Sequence, residues 1–348
     1  MQRLSEKIKR KHDFIQLLQR LDVDSLNISD YNKIYFKKHV HCLTYSVNLA
    51  LQIIETGFRD IDKPIESISI LEIGGGTGIL SLLAKWLGFG KVVYSDTFKI
   101  SCEDFEIISK ALSLATDKII VGGIDEVFEH NTSIDLIVSR DVIEHIYDPE
   151  AFFKTCCKNY EKSVMVHNTS ANLYNLFQMS YFRRIQQKDE LEGNANQFKP
   201  GDSQESHYTL RYNFIKSILA DLDENIIAKL ASLTRGKMYS DIEKSVYEFK
   251  VSGKFPTELA HSTNTCDPAN GNWTEHLLPF EAYESFVDKH KFRIDWKYAP
   301  YDAWRNVGLK KLVILILNFL IRNTGLLARY LSPAIILKIS PKLQSKQE

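Results

Sequence analysis

The pattern of apolar and polar positions changes character along the chain. In the N-terminal part, apolar side chains recur every three to four residues, which predicts helices over residues 5–20 and 31–57. Between Ser67 and Thr169, short runs of valine and isoleucine alternate with amphipathic segments. Such alternation predicts the strands of a parallel sheet that is covered by helices on both faces.

Five strands are predicted in this middle region: "SISILEIG", "KVVYSD", "DKIIVGG", "IDLIVSRD" and "EKSVMVHNT". After Thr169 the alternation stops. Residues 171–250 have a helical and polar pattern, and residues 254–276 are rich in turn-forming residues. Two further strands, "FRIDWKYAPY" and "AIILKIS", flank the apolar stretch "LKKLVILILNFLIRN".

The predicted fold class is therefore α/β, with a Rossmann-like, mostly parallel sheet of seven strands, N-terminal helices and a helical and loop cap insertion. Four parts are expected along the chain. They are an N-terminal helical segment (1–66), the Rossmann-like core (67–170), a helical and loop cap for a substrate (171–276), and a C-terminal part that completes the sheet and contains an apolar helix (277–348).

The composition limits the class of protein. The chain has 348 residues, no net formal charge, 44% hydrophobic residues and 25% charged residues, which is typical of a globular protein. The balanced charge argues against a nucleic acid as partner. The first 14 residues lack the apolar core of a secretory signal.

The cysteines and histidines predict neither disulfides nor a metal site. No pair of the five cysteines has the C-x-x-C spacing. Free thiols in a reducing cytoplasm are expected, and the predicted location is cytoplasmic. The spacing of His261, Cys266 and His276 fits no common metal site, so no metal is predicted.

The turn "LEIGGGTG", which ends the first strand, predicts a nucleotide site. Consecutive glycines let the backbone approach a ligand, and the following helix presents free N–H groups. Glu72 would repel a pyrophosphate but could face a cationic or amino-bearing ligand. Asp96 ends the second strand, where a carboxylate can accept hydrogen bonds from ribose hydroxyls. S-adenosylmethionine, which has a ribose but an amino acid and a sulfonium in place of phosphates, fits this pattern.

Several motifs over residues 67–170 resemble those of class I S-adenosylmethionine-dependent methyltransferases. They are "LEIGGGTG", the strand-terminal Asp96, "GGIDEV" and "IDLIVSRDVIEHIYDPEAF", in the order and at the spacing that this family has. Residues 204–276 are similar to a bacterial branch of these enzymes. The resemblance implies the fold, S-adenosylmethionine as cofactor, and a last strand, "AIILKIS", that runs antiparallel to the others.

The resemblance also implies which residues hold the methionine end of the cofactor. Glu72 and the glycines of the turn would line it, and Gly78 would allow close packing of helix on strand. Arg140 and Asp141, after the fourth strand, would lie beside the methionine moiety and the methyl group that is transferred. The glycines assigned to the cofactor are Gly74, Gly75, Gly76 and Gly78.

The ribose and the adenine are assigned to the next two strand ends. Asp96 would hold the ribose, Thr97 would flank the adenine, and Ile124 or Asp125 would meet the adenine edge. The chain departs from the family at Gly123, where many relatives have an acidic residue directly after the strand. This departure leaves the adenine contact open.

His145, in "VIEHIYDP", is the candidate catalytic residue. Its imidazole could act as a general base that removes a proton from a hydroxyl acceptor. The alternative is that His145 packs over the cofactor or hydrogen-bonds the loop after the fourth strand, since relatives with unlike substrates share "EH" here.

Two groups of polar residues are candidates for acceptor binding. His167 and Asn168 end the fifth strand, where parallel sheets bind ligands; a satisfied polar strand end is the alternative. The loop "HSTNTCDPANGNW" combines His261, Asn264 and Trp273, which suits a sugar or another polyhydroxylated acceptor. The alternative is a long ordered surface loop held by its own Asx turns.

The apolar stretch at residues 309–322 is too short to span a bilayer. A helix in a membrane interface would explain the basic residues at its ends. The other interpretation, which we favour from the sequence alone, is a buried helix inserted between the last two strands or at a dimer interface. The oligomeric state is left open.

The function expected from these observations is O-methylation of a small-molecule or glycan-type acceptor by in-line displacement. Two other classes stay open. One is an oxidoreductase or epimerase that binds NAD in the same turn, although Glu72 is badly placed for a pyrophosphate. The other is a non-catalytic scaffold that retains the methyltransferase fold.

Overall fold

The computed structural model describes residues 8–130, 133–193, 203–219 and 221–342, so the start of the helix predicted at 5–20 lies outside the described residues. The chain forms two compact units. The sheet unit comprises Met1–Ile143, Pro149–Ser170 and Phe280–Glu348, and the helical unit comprises Glu144–Asp148 and Ala171–Pro279. The four parts expected from the sequence stay a prediction, although the N-terminal helices belong to the sheet unit.

The sheet has seven strands in the order β3-β2-β1-β4-β5-β7-β6. β1 to β5 are parallel, and β7 pairs antiparallel with both β5 and β6. The predicted fold class is confirmed, and so is the antiparallel last strand. The strands are β1 Ser69–Ile73, β2 Lys91–Asp96, β3 Lys118–Val121, β4 Leu136–Arg140, β5 Val164–Thr169, β6 Phe292–Ala299 and β7 Ala334–Pro341.

Helices flank these strands in the sheet unit, and the described residues of the helical unit form four more. Those of the sheet unit are α1 Lys11–Gln19, α2 Asp30–His41, α3 Leu43–Phe58, α4 Ile79–Leu87, α5 Lys99–Ala111, α6 Ile124–Glu129, α7 Pro149–Asn159, α12 Phe280–Ser285, α13 Gly308–Asn323 and α14 Ala328–Leu331. Those of the helical unit are α8 Leu176–Leu191, α9 His207–Ile218, α10 Glu224–Leu233 and α11 Tyr239–Ser252.

The single helix predicted over residues 31–57 is two helices, α2 and α3, which meet at Cys42. No glycine or proline marks this break, so the sequence does not signal it. The predicted helix ends at Gly57, whereas α3 continues to Phe58, so Gly57 lies inside the helix. A Cβ atom at Gly57 would come within 2.3 Å of the Leu136 side chain, so this glycine lets α3 pack closely on β4.

A buried polar contact holds α2 in place on the sheet unit. The carboxylate of Asp104, on α5, accepts hydrogen bonds from the Ser29 backbone N–H at 3.1 Å and from the Asn32 side-chain amide at 2.7 Å. The Ser29 hydroxyl in turn caps the first turn of α2 by accepting from the Asn32 N–H. These contacts attach the first turn of α2 to α5.

The helical unit has its own apolar core, formed by α9, α10 and α11 around Ile215, Leu230 and Ile242. A fully buried ion pair joins α8 to α9: the Arg211 guanidinium binds Glu190 and donates to the Ala231 carbonyl at 2.9 Å. This buried charge is paired and hydrogen-bonded, as its burial requires.

Candidate functional site

The glycine turn after β1 is tied to the end of β2 by Asp96. One carboxylate oxygen of Asp96 accepts from the Gly76 N–H at 2.9 Å, and the other accepts from the Phe98 N–H at 2.9 Å. Gly76 has a φ of +53°, a left-handed conformation that glycine adopts without strain. Asp96 is therefore placed between two turns at the carboxyl ends of parallel strands, where such sheets bind ligands.

Gly78 lies between the turn and the first residue of α4. A Cβ atom there would fall 2.0 Å from the ring of Phe105 on α5, and the φ of Gly78 is +72°. Only glycine fits both constraints, so the turn can bring the backbone N–H groups of α4 close to a ligand.

Glu72 faces the start of α4. Its buried carboxylate accepts from the Ser81 N–H at 2.8 Å and from the Leu80 N–H at 3.3 Å. Burial raises the pKa of Glu72 to about 7, and the hydrogen bonds from Ser81 and Leu80 oppose that rise. In this structure the Glu72 carboxylate caps α4, the helix that follows the turn. Its expected contact with the methionine end of the cofactor stays a prediction.

This burial predicts how stability depends on pH. An unfolded Glu72 ionises near pH 4.5 and the folded one near pH 7, so the unfolded state binds fewer protons in that window. The stability that Glu72 contributes is present below pH 4.5 and is lost as the pH rises to 7, about 3 kcal/mol in all. The melting temperature of wild type should therefore fall relative to Glu72→Gln across this window.

The control for this experiment is Glu103→Gln, which alters an exposed carboxylate on α5. Its difference from wild type should not change with pH in the same way. A constant difference between wild type and Glu72→Gln from pH 4.5 to 8 would show that Glu72 is ionised throughout, and the prediction would be wrong.

Arg140, at the end of β4, has a guanidinium group that suits an anionic ligand. Its side chain is 13% exposed and lies 3.6 Å from the Asp141 carboxylate. Within the described part of the chain, its Nε and Nη1 atoms are buried without a hydrogen-bond partner. A buried guanidinium normally binds an acceptor. The carboxylate of the methionine moiety is such an acceptor, so the site fits the cofactor implied by the sequence.

The N-terminal helices contribute aromatic residues that the sequence analysis missed. Tyr35, on α2, lies so near the turn that a Cβ atom on Gly76 would be 3.3 Å from its ring. Burial and the charge of Asp141 raise the pKa of Tyr35, and burial and the charge of Arg140 lower the pKa of His39 to about 3. Both rings therefore lie near the end of β4. The signal in the sequence was the spacing of Tyr31, Tyr35 and His39 at every fourth position.

The region expected to meet the adenine is formed by the turn after β3. Thr97 and Asp125 are exposed, whereas the Ile124 side chain is buried in the core. The Gly123 N–H donates to the Glu126 carboxylate at 2.7 Å, which closes the first turn of α6. Of the two alternatives for the adenine edge, Asp125 is the one whose side chain is open to a ligand.

His145 lies in the segment that follows β4 in the chain, within the helical unit. Its Nδ1 lies 2.8 Å from the Trp273 carbonyl oxygen, which can only accept. Nδ1 therefore carries the proton in the neutral ring, and Nε2 is the basic nitrogen. Ligand atoms of Glu144, His145 and Glu275 all lie within 4.8 Å of one another.

His167 and Asn168 are core residues in this structure, which corrects the prediction that they bind the acceptor. Both are fully buried. His167 packs edge-on against Phe152 and Phe153, its Nδ1 lies 2.8 Å from the Ser139 hydroxyl, and burial lowers its pKa to about 3. The Asn168 amide donates to the Ile335 carbonyl at 3.0 Å, across the β5–β7 pair.

Asn264 and Trp273 are held by contacts with other segments of the helical unit. Asn264 is buried, and its amide oxygen accepts from Gln186 at 2.9 Å and from the Leu277 N–H at 3.1 Å. Trp273 is 6% exposed, stacks on His276 and donates to the Tyr147 carbonyl, so it is not an open platform for a sugar. These two predicted roles are corrected.

The rest of the loop agrees with the alternative of an ordered loop. Asp267 and Asn270 form Asx turns with the N–H groups two residues further on. His261 is half-buried beside Thr263, and burial, followed by the charges of Arg183 and Arg235, lowers its pKa. Its role in acceptor binding stays a prediction.

Together, the sheet order, the glycine turn and the acidic end of β2 define a Rossmann-like nucleotide-binding unit. Residues 49–206 match a family model that is described as a methyltransferase domain. This match covers less than half of the chain, and it agrees with the methyltransferase motifs and with the S-adenosylmethionine site that the sequence predicts.

Curated relatives match about a third of the chain or less. A protein named ubiquinone biosynthesis O-methyltransferase from Rhizobium etli is 30% identical over 96 residues, which are 28% of this chain and 38% of that protein. A protein of the same name from Pelagibacter ubique is 29% identical over 114 residues, which are 33% of this chain and 46% of that protein. The chain thus spans less than half the length of these relatives.

Solved structures with similar folds include the plantazolicin methyltransferase in complex with S-adenosylhomocysteine, at 13% identity and a TM-score of 0.39, with 97% of this chain and 99% of that chain covered. Another is an S-adenosylmethionine-dependent methyltransferase from Clostridium acetobutylicum, at 17% identity and a TM-score of 0.36, with 43% of this chain and 61% of that chain covered.

Proposed function

We propose that the protein transfers the methyl group of S-adenosylmethionine to a hydroxyl oxygen of a small-molecule or glycan-type acceptor in the cytoplasm. The observation that carries the cofactor part is the buried Arg140 guanidinium, two of whose nitrogens lack a hydrogen-bond partner among the described residues, beside a glycine turn tied to Asp96. The hydroxyl acceptor rests on the orientation of His145.

The residues of the sheet unit bind and orient the donor. Arg140 would pair with the methionine carboxylate, and Asp96 would accept hydrogen bonds from the ribose hydroxyls. The sulfonium of the cofactor supplies an electrophilic methyl group and a neutral leaving group. Catalysis by the protein then consists mainly of alignment, because in-line displacement requires donor, methyl carbon and acceptor oxygen on one axis.

His145 would supply the base that a hydroxyl acceptor needs. With Nδ1 held by the Trp273 carbonyl, Nε2 is the atom that takes the hydroxyl proton as the oxygen attacks. The ring becomes an imidazolium, which the nearby carboxylates of Glu144 and Glu275 stabilise. An amine acceptor that is already neutral would need no such base.

The names of the curated relatives agree with oxygen as the methylated atom, since both are called O-methyltransferases. The matches cover 28% and 33% of the chain, so the identity of the acceptor is not taken from them. An NAD-dependent reaction would require a pyrophosphate near the buried carboxylate of Glu72, which disfavours that alternative.

The proposal predicts selective stabilisation by the cofactor product and turnover with hydroxyl acceptors. S-adenosylhomocysteine at 100 times its dissociation constant should stabilise the fold by about 2.7 kcal/mol, and NAD should not. With methyl-labelled S-adenosylmethionine, label should pass to nucleotide sugars or glycolipids that have a free hydroxyl, and not to the same compounds after O-methylation. Stabilisation by NAD, or transfer to amines alone, would contradict the proposal; binding of the product without any transfer would favour the non-catalytic scaffold.

A further inference from the structure

The helix α13 turns an apolar face away from the sheet unit. Leu309, Leu312, Ile316 and Phe319 are 77%, 54%, 52% and 64% exposed. These positions recur at i, i+3, i+7 and i+10, so they form one stripe along the helix. The helix α13 is inserted between β6 and β7 in the chain, but the described residues leave its apolar face uncovered, which corrects the expectation that it is buried within one chain. Burial at a dimer interface stays a prediction.

The opposite face of α13 fixes this orientation. Asn318 and Ile321 are buried there. The Asn318 side chain accepts from the Tyr301 N–H at 2.7 Å and donates to the Tyr301 carbonyl at 3.0 Å. A polar side chain attaches the helix to the segment after β6, so the leucines and isoleucines of the stripe are not used for packing.

The exposed apolar surface extends beyond the helix. After α13, Leu326 is 82% exposed, and Leu327 and Tyr330 are also exposed; before it, Trp304 and Val307 are exposed. Uncovered apolar patches of this extent mark interaction sites. Tryptophan and tyrosine at the margins of such a patch suit a boundary between water and a lipid phase.

Cations outnumber carboxylates around the stripe. The sequence has no aspartate or glutamate from residue 303 to residue 347, and Asp302, which accepts from the Trp304 N–H, lies at the edge of the apolar surface. Arg305, Lys310, Lys311 and Arg322 are exposed beside this surface. An apolar stripe bordered mainly by cations is complementary to a surface that is apolar inside and anionic outside.

We propose that α13 and the residues on either side of it dock on the surface of an anionic lipid bilayer. The helix has 16 residues, which makes it about 24 Å long, shorter than the hydrocarbon core of about 30 Å. In the described part of the chain, no helix reaches the length and hydropathy of a membrane span. The helix therefore lies in the plane of the interface, with its apolar stripe towards the acyl chains.

A second copy of the chain is a poorer occupant of this surface. A symmetric dimer through the stripe would bring the same cations of both copies together, and Asp302 is the one acidic residue from residue 296 to residue 347 that could pair with them. Like charges that face each other across an interface oppose association. The inference does not depend on the proposed function, because it concerns a surface outside the cofactor site.

Flotation with lipid vesicles tests the proposal. The wild-type chain should float with vesicles of phosphatidylcholine and phosphatidylglycerol and bind vesicles of phosphatidylcholine alone at least tenfold more weakly. The double variant Leu312→Glu/Ile316→Glu should lose binding. Replacing Lys310 and Lys311 by alanine should weaken it about fivefold for each lysine, because one such charge contributes about 1 kcal/mol.

The matched control is Tyr247→Glu/Val251→Glu, which adds the same two charges at exposed apolar positions of α11. This control should bind vesicles like wild type, and thermal melting should show that every variant is folded. Absence of wild-type binding to anionic vesicles would overturn the proposal. Equal binding to neutral and anionic vesicles would overturn it too. A third contrary result would be a dimer, detected by light scattering, that Leu312→Glu/Ile316→Glu converts to a monomer without any loss of vesicle binding.

Discussion

Replacement of Asp96 by alanine is expected to weaken binding of S-adenosylhomocysteine at least 100-fold, or about 2.8 kcal/mol. Asp96 would lose the charge-assisted hydrogen bonds to the ribose hydroxyls, each of which is worth about 1.5–3 kcal/mol. The Gly76 and Phe98 N–H groups would also lose their acceptor, so the turn itself would be less ordered. Calorimetric titration of both proteins with S-adenosylhomocysteine, with NAD as the comparison ligand, measures this effect.

Two further variants make the result interpretable. Glu103→Ala removes an exposed carboxylate from the neighbouring helix α5 and should bind like wild type. Asp96→Asn keeps one acceptor oxygen and the shape of the side chain, so it tests the role of the charge if the alanine variant is unstable. Unchanged affinity of a folded Asp96→Asn or Asp96→Ala protein, or tighter binding of NAD than of S-adenosylhomocysteine by wild type, would show that the site has been misassigned.

Replacement of His145 by alanine is expected to lower kcat for a hydroxyl acceptor by about 100-fold to 10,000-fold, the range of general-base catalysis. Binding of S-adenosylhomocysteine should change little, because the donor is assigned to residues of the sheet unit. In wild type, kcat should rise as the imidazole loses its proton with increasing pH, and this limb of the profile should be absent from the variant. Steady-state kinetics measure both effects, with the hydroxyl acceptor that the methyl-label transfer assay identifies.

His290→Ala is the control for this variant, since His290 is exposed on the surface of the sheet unit. It should have wild-type kcat and the wild-type pH profile. If His145→Ala retains more than a tenth of the wild-type kcat, His145 has the structural role that its contact with the Trp273 carbonyl also permits. The general-base step would then be dropped, while the assignment of the cofactor would stand.

The strands and the cofactor turn were predictable because their signals are local. Continuous apolar runs such as "KVVYSD" are required wherever a strand is buried on both faces, and β2 is such a strand. Gly78 was predicted from its place in the glycine motif, and the structure gives the reason, since a Cβ atom there would lie 2.0 Å from the Phe105 ring. Asp96 follows from its place at the end of β2.

The errors have a common physical origin. A polar side chain at a strand end or in a loop can form its hydrogen bonds either with a ligand or with other parts of the protein. His167 and Asn168 lie at a strand end, where a ligand site is expected. In the structure β7 pairs with β5, and the Asn168 amide donates a hydrogen bond to a backbone carbonyl of β7. Trp273 and Asn264 were assigned to an acceptor from their composition, whereas long-range contacts with Tyr147 and Gln186 bury them. No local pattern distinguishes these outcomes.

The sequence by itself indicated the class of fold, the strands of the first half of the sheet and the expected cofactor site, because periodicity, glycine and strand-end residues act over a few positions. Only the tertiary structure decided that Glu72 caps α4, that Tyr35 from α2 lies beside Gly76, and that α13 presents its leucines outward. These features depend on which surfaces meet when distant segments pack. The periodic pattern of apolar residues in a helix is the same whether its apolar stripe packs against the rest of the chain or is exposed for binding to a partner.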